Sequence, residues 1–217
     1  MTEWFRNTDW NQEIEDFFEL KLKRARGGNS KAQYLRIQAS YLLDTSKHGP
    51  IGEKLLLRLF SDFPEETFSV IFGHEQLGDY YFKTGKYDKA ETEYKIVVDY
   101  YHSKTRSGTT GIADIKLADL ILTIEQKDKY NYAYKLITED FKKSNGDLGM
   151  NDSRYFYALT RSRLAWRLGF KSDSKDFAKL ALDLSKIAEP QFPRHKTVGL
   201  VKAKNEDIKE LEKIIND

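Results

Sequence analysis

Along almost the whole chain apolar residues recur at steps of three and four, the spacing that puts side chains on one face of an α-helix. Ile14, Phe17, Phe18 and Leu22 begin the pattern, Gly27-Gly28 interrupts it, and Tyr34, Ile37, Tyr41 and Leu42 resume it. The periodicity predicts helices over 12–26, 30–44, 50–60, 66–84, 87–102, 111–126, 129–143, 152–169, 173–188 and 204–216. Pro50, Pro64, Pro190 and Pro193 all lie where the pattern stops or restarts, as a residue without an N–H requires. Asn29 or Ser30 is the expected cap of the second helix, and Asn151 or Asp152 that of the helix near 152. No stretch alternates as a strand for more than a few residues, connections are short, and no linker divides the chain. An all-α fold in a single domain over 1–217 is therefore expected.

Helices of this length joined by short turns call for a search for an internal repeat. Leu77-Gly78-Asp79-Tyr80-Tyr81, then Thr84-Gly85-Lys86-Tyr87, then Ala90-Glu91-Thr92-Glu93-Tyr94, resembles the tetratricopeptide repeat, with Leu-Gly-x-x-Tyr on its first helix and Ala-x-x-x-Phe on its second. Small residues at Gly78 and Ala90 allow a close helix crossing, and Tyr81 and Tyr94 fill the space beside it. His74 and His102 depart from the pattern, where Trp and Pro are frequent. The pairs Ser40 and Gly52, Ala118 and Ala133, and Ala165 and Ala178 repeat the arrangement more weakly. The resemblance implies helix pairs at 30–64, 66–102, 111–143 and 152–190 stacked as a short TPR-like α-solenoid. The helix within 1–28 and the helix at 204–216, with Ile208, Leu211 and Ile215 on one face, then read as terminal caps.

In such a stack the first helix of each pair lines a concave surface. Counting from the small crossing residues places Tyr41, Asp79, Asp119 and Trp166 on it, with Ile37, Glu75, Ile115 and Ser162 one turn earlier. Tyr34, Phe72 and Leu159 follow at its edge, and Asp44 and Phe82 further along. The expected partner-binding residues are Tyr34, Tyr41, Phe72, Glu75, Asp79, Phe82, Asp119, Arg163 and Trp166. They describe an aromatic groove with an acidic middle and a basic edge near Arg163, suited to a partner protein with a basic segment.

Composition narrows the chemistry. The chain has 36 Lys plus Arg, 34 Asp plus Glu and a formal charge of +2, so bulk charge does not favour nucleic-acid binding. The absence of cysteine removes disulfides, thiol catalysis and cysteine metal sites. No apolar run approaches the roughly 18 residues of a membrane span. The opening Met1-Thr-Glu-Trp-Phe-Arg is acidic and aromatic, unlike a secretory leader, so a cytoplasmic protein is expected.

His74-Glu75 lacks the second histidine of a zinc-protease helix, because position 78 is Gly. The Ser107–Gly111 loop lacks the Lys-Ser/Thr of a phosphate loop, and Asn145–Asp152 lacks the order of a calcium loop. His48 and His195 are expected in solvent. No catalytic constellation, metal site or cofactor is expected. The basic cluster Lys21, Lys23, Arg24, Arg26 and Lys31 reads as a solvated face near a helix C-terminus. The expected function is non-catalytic protein–protein interaction. A bacterial immunity-type protein neutralising a basic toxin is a narrower alternative, and a nucleic-acid factor or enzyme using Arg154, Arg161, Arg163 and Arg167 is one of another class.

Overall fold

The computed structural model describes residues 3–103 and 106–217, and among these it contains helices and no β-strand. The chain divides into two compact units, Met1–Tyr100 with Ser107–Thr110 and Tyr101–Arg106 with Gly111–Asp217.

The first unit is built on α1 (Gln12–Arg24), α2 (Gly28–Leu43), α3 (Gly49–Asp62), α4 (Thr67–Lys83) and most of α5 (Tyr87–Ser103). Asn11 caps α1 by accepting the Ile14 N–H at 2.9 Å. Glu13 and Glu15 stand in the first turn, and Lys21, Lys23 and Arg24 in the last, where each sign complements the helix dipole. That accounts for much of the basic cluster without a ligand. The expected cap at Asn29 or Ser30 is corrected, since α2 starts from Gly27 with no side-chain cap.

Helix α2 packs on α3 and α4, and α3 on α4. Leu35, Ala39, Leu42, Leu56, Leu59 and Leu77 form the fully buried centre. At Gly78 an added Cβ would come within 2.7 Å of the Tyr94 ring, so the close crossing of α4 and α5 depends on glycine. The matching approach in the first pair is displaced by one residue from the expected one. A Cβ on Gly52 would lie 2.9 Å from the Ala39 carbonyl oxygen, making fully buried Ala39, and not Ser40, the small residue at the crossing.

The segment before α1 is held by packing and hydrogen bonds. Trp4 and Phe5 each lie 4.7 Å from the Tyr34 ring, and buried Gln38 exchanges hydrogen bonds with the Asn7 backbone at 2.8 and 3.0 Å. His48 is buried and 2.7 Å from an Asp9 carboxylate oxygen, correcting its expected exposure.

The second unit contains α6 (Ala113–Thr123), α7 (Tyr130–Lys135), a π-helical turn (Leu136–Asp140), α8 (Phe141–Lys143), α9 (Asn151–Arg167), α10 (Lys171–Ser185) and α11 (Asn205–Asn216). The expected continuous helix at 129–143 is thus interrupted by the π turn. Helix α9 follows Met150 without a side-chain cap, so neither Asn151 nor Asp152 has the expected role. Helices α9 and α10 pack along their length, with the Ser162 hydroxyl donating to the Ser174 carbonyl at 2.9 Å. Tyr155, Ala158, Ala178, Ala181 and Leu184 meet Leu211 and Ile214 of α11 in one cluster. The last helix covers this apolar face with Leu211 and Ile214, and Ile214 is more deeply placed than Ile208 or Ile215. Arg106 fixes the entry to this unit. It is bidentate to Asp114 at 2.6 and 3.2 Å, donates to Ser144 and Gly111, and lies between the Tyr101 and Phe141 rings.

Candidate partner-binding groove

In the first unit α2 and α4 lie side by side and run in the same sense. Arg36 faces Phe72 at one end, and Ser40, Leu43 and Asp44 face Gln76, Asp79, Tyr80 and Lys83 further along. The latter residues line a cleft of about 190 Å³. The three- and four-residue steps of each helix put these side chains on one stripe. Asp44, Asp79 and Lys83 are exposed, whereas Leu43 and Tyr80 form a buried wall. Asp79 also accepts the Tyr94 hydroxyl at 2.8 Å, which fixes its carboxylate beside the cleft.

The six candidates in this unit have different surroundings. Asp79 lines the cleft. Phe72 supports the Arg36 guanidinium, whose central carbon is 4.6 Å from its ring centroid. Tyr41 and Phe82 are half-buried, and Phe82 meets Tyr87 edge-on at 5.8 Å. Tyr34 is covered by Trp4 and Phe5. Glu75 departs furthest from its expected place, being fully buried while its carboxylate receives the Thr110 N–H at 2.8 Å and the Thr110 hydroxyl. It anchors the 107–110 loop and contributes no exposed charge.

The other three candidates belong to the second unit. Asp119, Arg163, Arg167 and Glu210 line a cleft of about 210 Å³ with Leu122 and Thr123. Arg163 is engaged by Asp207 at 2.6 Å and Glu210 at 2.7 Å, so the expected basic edge is neutralised by α11. Burial pushes the Asp119 carboxyl up to about 6, with Asp207 adding to the rise and Arg163 opposing it. The Trp166 indole N–H donates to Asp217 at 3.1 Å, and Arg167 and Lys213 both lie 5.3 Å from its ring. On the same helix Arg161 forms a bidentate pair with Asp173 at 2.6 and 3.0 Å. Of the four arginines of α9, the two central ones are thus held in internal ion pairs.

Two residues of α2 and α4 escaped the sequence reading. Arg36 is 8% exposed, and its Nε is buried with no hydrogen-bond partner. Gln76, one turn beyond Phe72, has a buried Oε1 in the same condition. A signal did exist, because Arg36 is the only charged residue between Lys31 and Asp44.

Among the described residues no group of three His, Asp or Glu side chains is placed to hold a metal, and no helix is long and apolar enough to cross a membrane. No family model matches the chain, and comparison with curated proteins and solved structures finds no match. The class that the fold defines is an all-helical protein of packed helix pairs.

Proposed function

We propose that this chain is a non-catalytic helical-repeat protein that holds a partner protein against the stripe between α2 and α4. The observation that carries the reading is the cleft in which exposed Asp44 and Asp79 stand over the buried Leu43 and Tyr80 wall. Such a surface offers an apolar wall to a partner backbone and two carboxylates, in net excess over Lys83, to a cationic side chain. The short helix pairs and the close Gly78 crossing support a TPR-like stacking of the repeats. A basic partner bound one to one, as an immunity protein binds its toxin, is the form of this reading that chain size and the two carboxylates favour. The ion pairs of Arg161 and Arg163 supply no support for a phosphate-binding face on α9.

The test is capture of partners by the full chain at low salt and at about 0.5 M salt, where bulk charge attraction is screened. The wild-type chain should retain a stoichiometric protein at high salt, and Asp79→Lys should weaken its binding at least tenfold. A captured protein indifferent to Asp79→Lys would remove the groove, and nucleic acid that washes away with salt would replace the whole reading.

A further inference from the structure

A buried guanidinium ordinarily meets a carboxylate, because the low-dielectric surroundings penalise a cation left alone. The partly buried arginines Arg58, Arg106, Arg161 and Arg163 all follow this rule. Arg36 does not. It is 8% exposed and, among the described residues, forms no ion pair and has a shielded Nε without an acceptor. Desolvation lowers its pKa from the ordinary value, and nothing opposes that shift. The acidic side chains at the end of α2 and along the facing stretch of α4 are accounted for elsewhere. Glu75 holds Thr110, and Asp44 and Asp79 lie further along the stripe, where the α2 spacing of eight residues corresponds to about 12 Å. The ring contact Arg36 makes is with Phe72, over which its guanidinium carbon lies at 4.6 Å, and a cation held this way keeps N–H groups for an anionic acceptor.

We propose that Arg36, seated on Phe72, is an anion subsite that takes an acidic side chain of an extended partner segment whose cationic side chain lies at Asp44 and Asp79. This rests on the groove reading above and supplies the chemistry of its occupant. An extended chain advances about 3.3 Å per residue, so a span of about 12 Å separates the two charges by about four residues. The acid is a carboxylate rather than a dianionic phosphate, because one guanidinium balances one negative charge and the net charge of Asp44, Asp79 and Lys83 further along the stripe is still negative. It is borne on a side chain rather than the chain terminus, because a guanidinium recessed this far must be reached by a stem.

The probes are fluorescently labelled peptides, acetylated and amidated, each carrying one Glu and one Lys two to six positions apart in both orders on a Ser/Ala background. Anisotropy with the full chain should be greatest at a separation of four. Arg36→Gln should weaken that peptide at least tenfold, and should change nothing once the peptide's Glu is replaced by Ala. Arg36→Met should melt no lower than wild type, which a purely structural arginine would not allow. The inference is overturned by affinity that ignores the Glu or the spacing, by loss on Arg36→Gln that persists without the Glu, by a peptide with only a free C-terminal carboxylate binding equally well, by unfolding of the Arg36 variants, or by no binding at all. A captured protein partner lost on Asp79→Lys but kept on Arg36→Gln would overturn this subsite alone. Indifference to both variants would overturn the groove as well.

Discussion

Arg36 and Arg106 are both removed from solvent and both lie against aromatic rings, yet they have opposite surroundings. Arg106 is bidentate to buried Asp114 and donates to Ser144 and a backbone carbonyl, and its guanidinium is 4.3 Å from Tyr101 and 4.5 Å from Phe141. Arg36 has Phe72 at 4.6 Å and no carboxylate. The first is what a chain does with an arginine that organises a fold, since every desolvated N–H finds an acceptor. The second is a cation whose desolvation the fold leaves uncompensated, and groups of that kind concentrate where a ligand completes them. A structural arginine in the second unit thus stands against the arginine proposed to meet a partner in the first.

The largest effect expected from breaking this contrast is at the structural end. Arg106→Met leaves Asp114 buried without its cation and should cost about 3–5 kcal/mol in urea unfolding. Replacing Asp114 by Asn in the same chain should recover part of that loss.

A second effect sharpens the contrast by reversing the sign of the charge. Asp119 in the second unit forms no ion pair among the described residues, and burial pushes its carboxyl up to about 6. The folded state therefore binds its proton more tightly than the unfolded state does. Its contribution to stability falls as pH rises from about 4 to about 6 and is then constant. Asp119→Asn removes this cost, so the variant should gain up to about 3 kcal/mol at pH 8, with the gain vanishing near pH 4 in parallel denaturation curves.

A smaller effect concerns the helix crossing beside the groove. Gly78→Ala places a methyl 2.7 Å from the Tyr94 ring, whose hydroxyl holds Asp79. Overpacking of about 1–3 kcal/mol should exceed the helix-propensity gain of about 1 kcal/mol. The net loss should be near 1 kcal/mol, with a shift of the Tyr94 ring signals in NMR.

Much of this architecture is written in local pattern. The three- and four-residue periodicity locates the helices, and the Gly78–Ala90 spacing identifies a crossing that glycine alone permits. What escaped the sequence reading depends on contacts between distant segments. Ala39 and Ser40 are both small, so the helical phase was ambiguous by one residue until Gly52 was seen against Ala39. Glu75 shares a face with Asp79 by helical arithmetic, but a loop 35 residues away turns it inward through Thr110. Tyr34 has the right phase for a groove and is covered by a non-helical segment that carries no periodic signal. Arg163 reads as an exposed edge until α11 brings Asp207 and Glu210 to it. Arg36 was missed for a related reason. An arginine among apolar residues reads as a side chain whose charged end reaches water, and only its burial without an acceptor shows otherwise.

The most direct test of whether Arg36 serves a partner rather than the fold is a pair of thermal melts at pH 7, of Arg36→Met and Arg106→Met against the wild-type chain. Removing an uncompensated buried charge should leave the Arg36 variant melting at or a few degrees above wild type, and the Arg106 variant should melt well below it. A fall in the Arg36 variant as deep as that of the Arg106 variant would contradict the account, making Arg36 one more structural arginine.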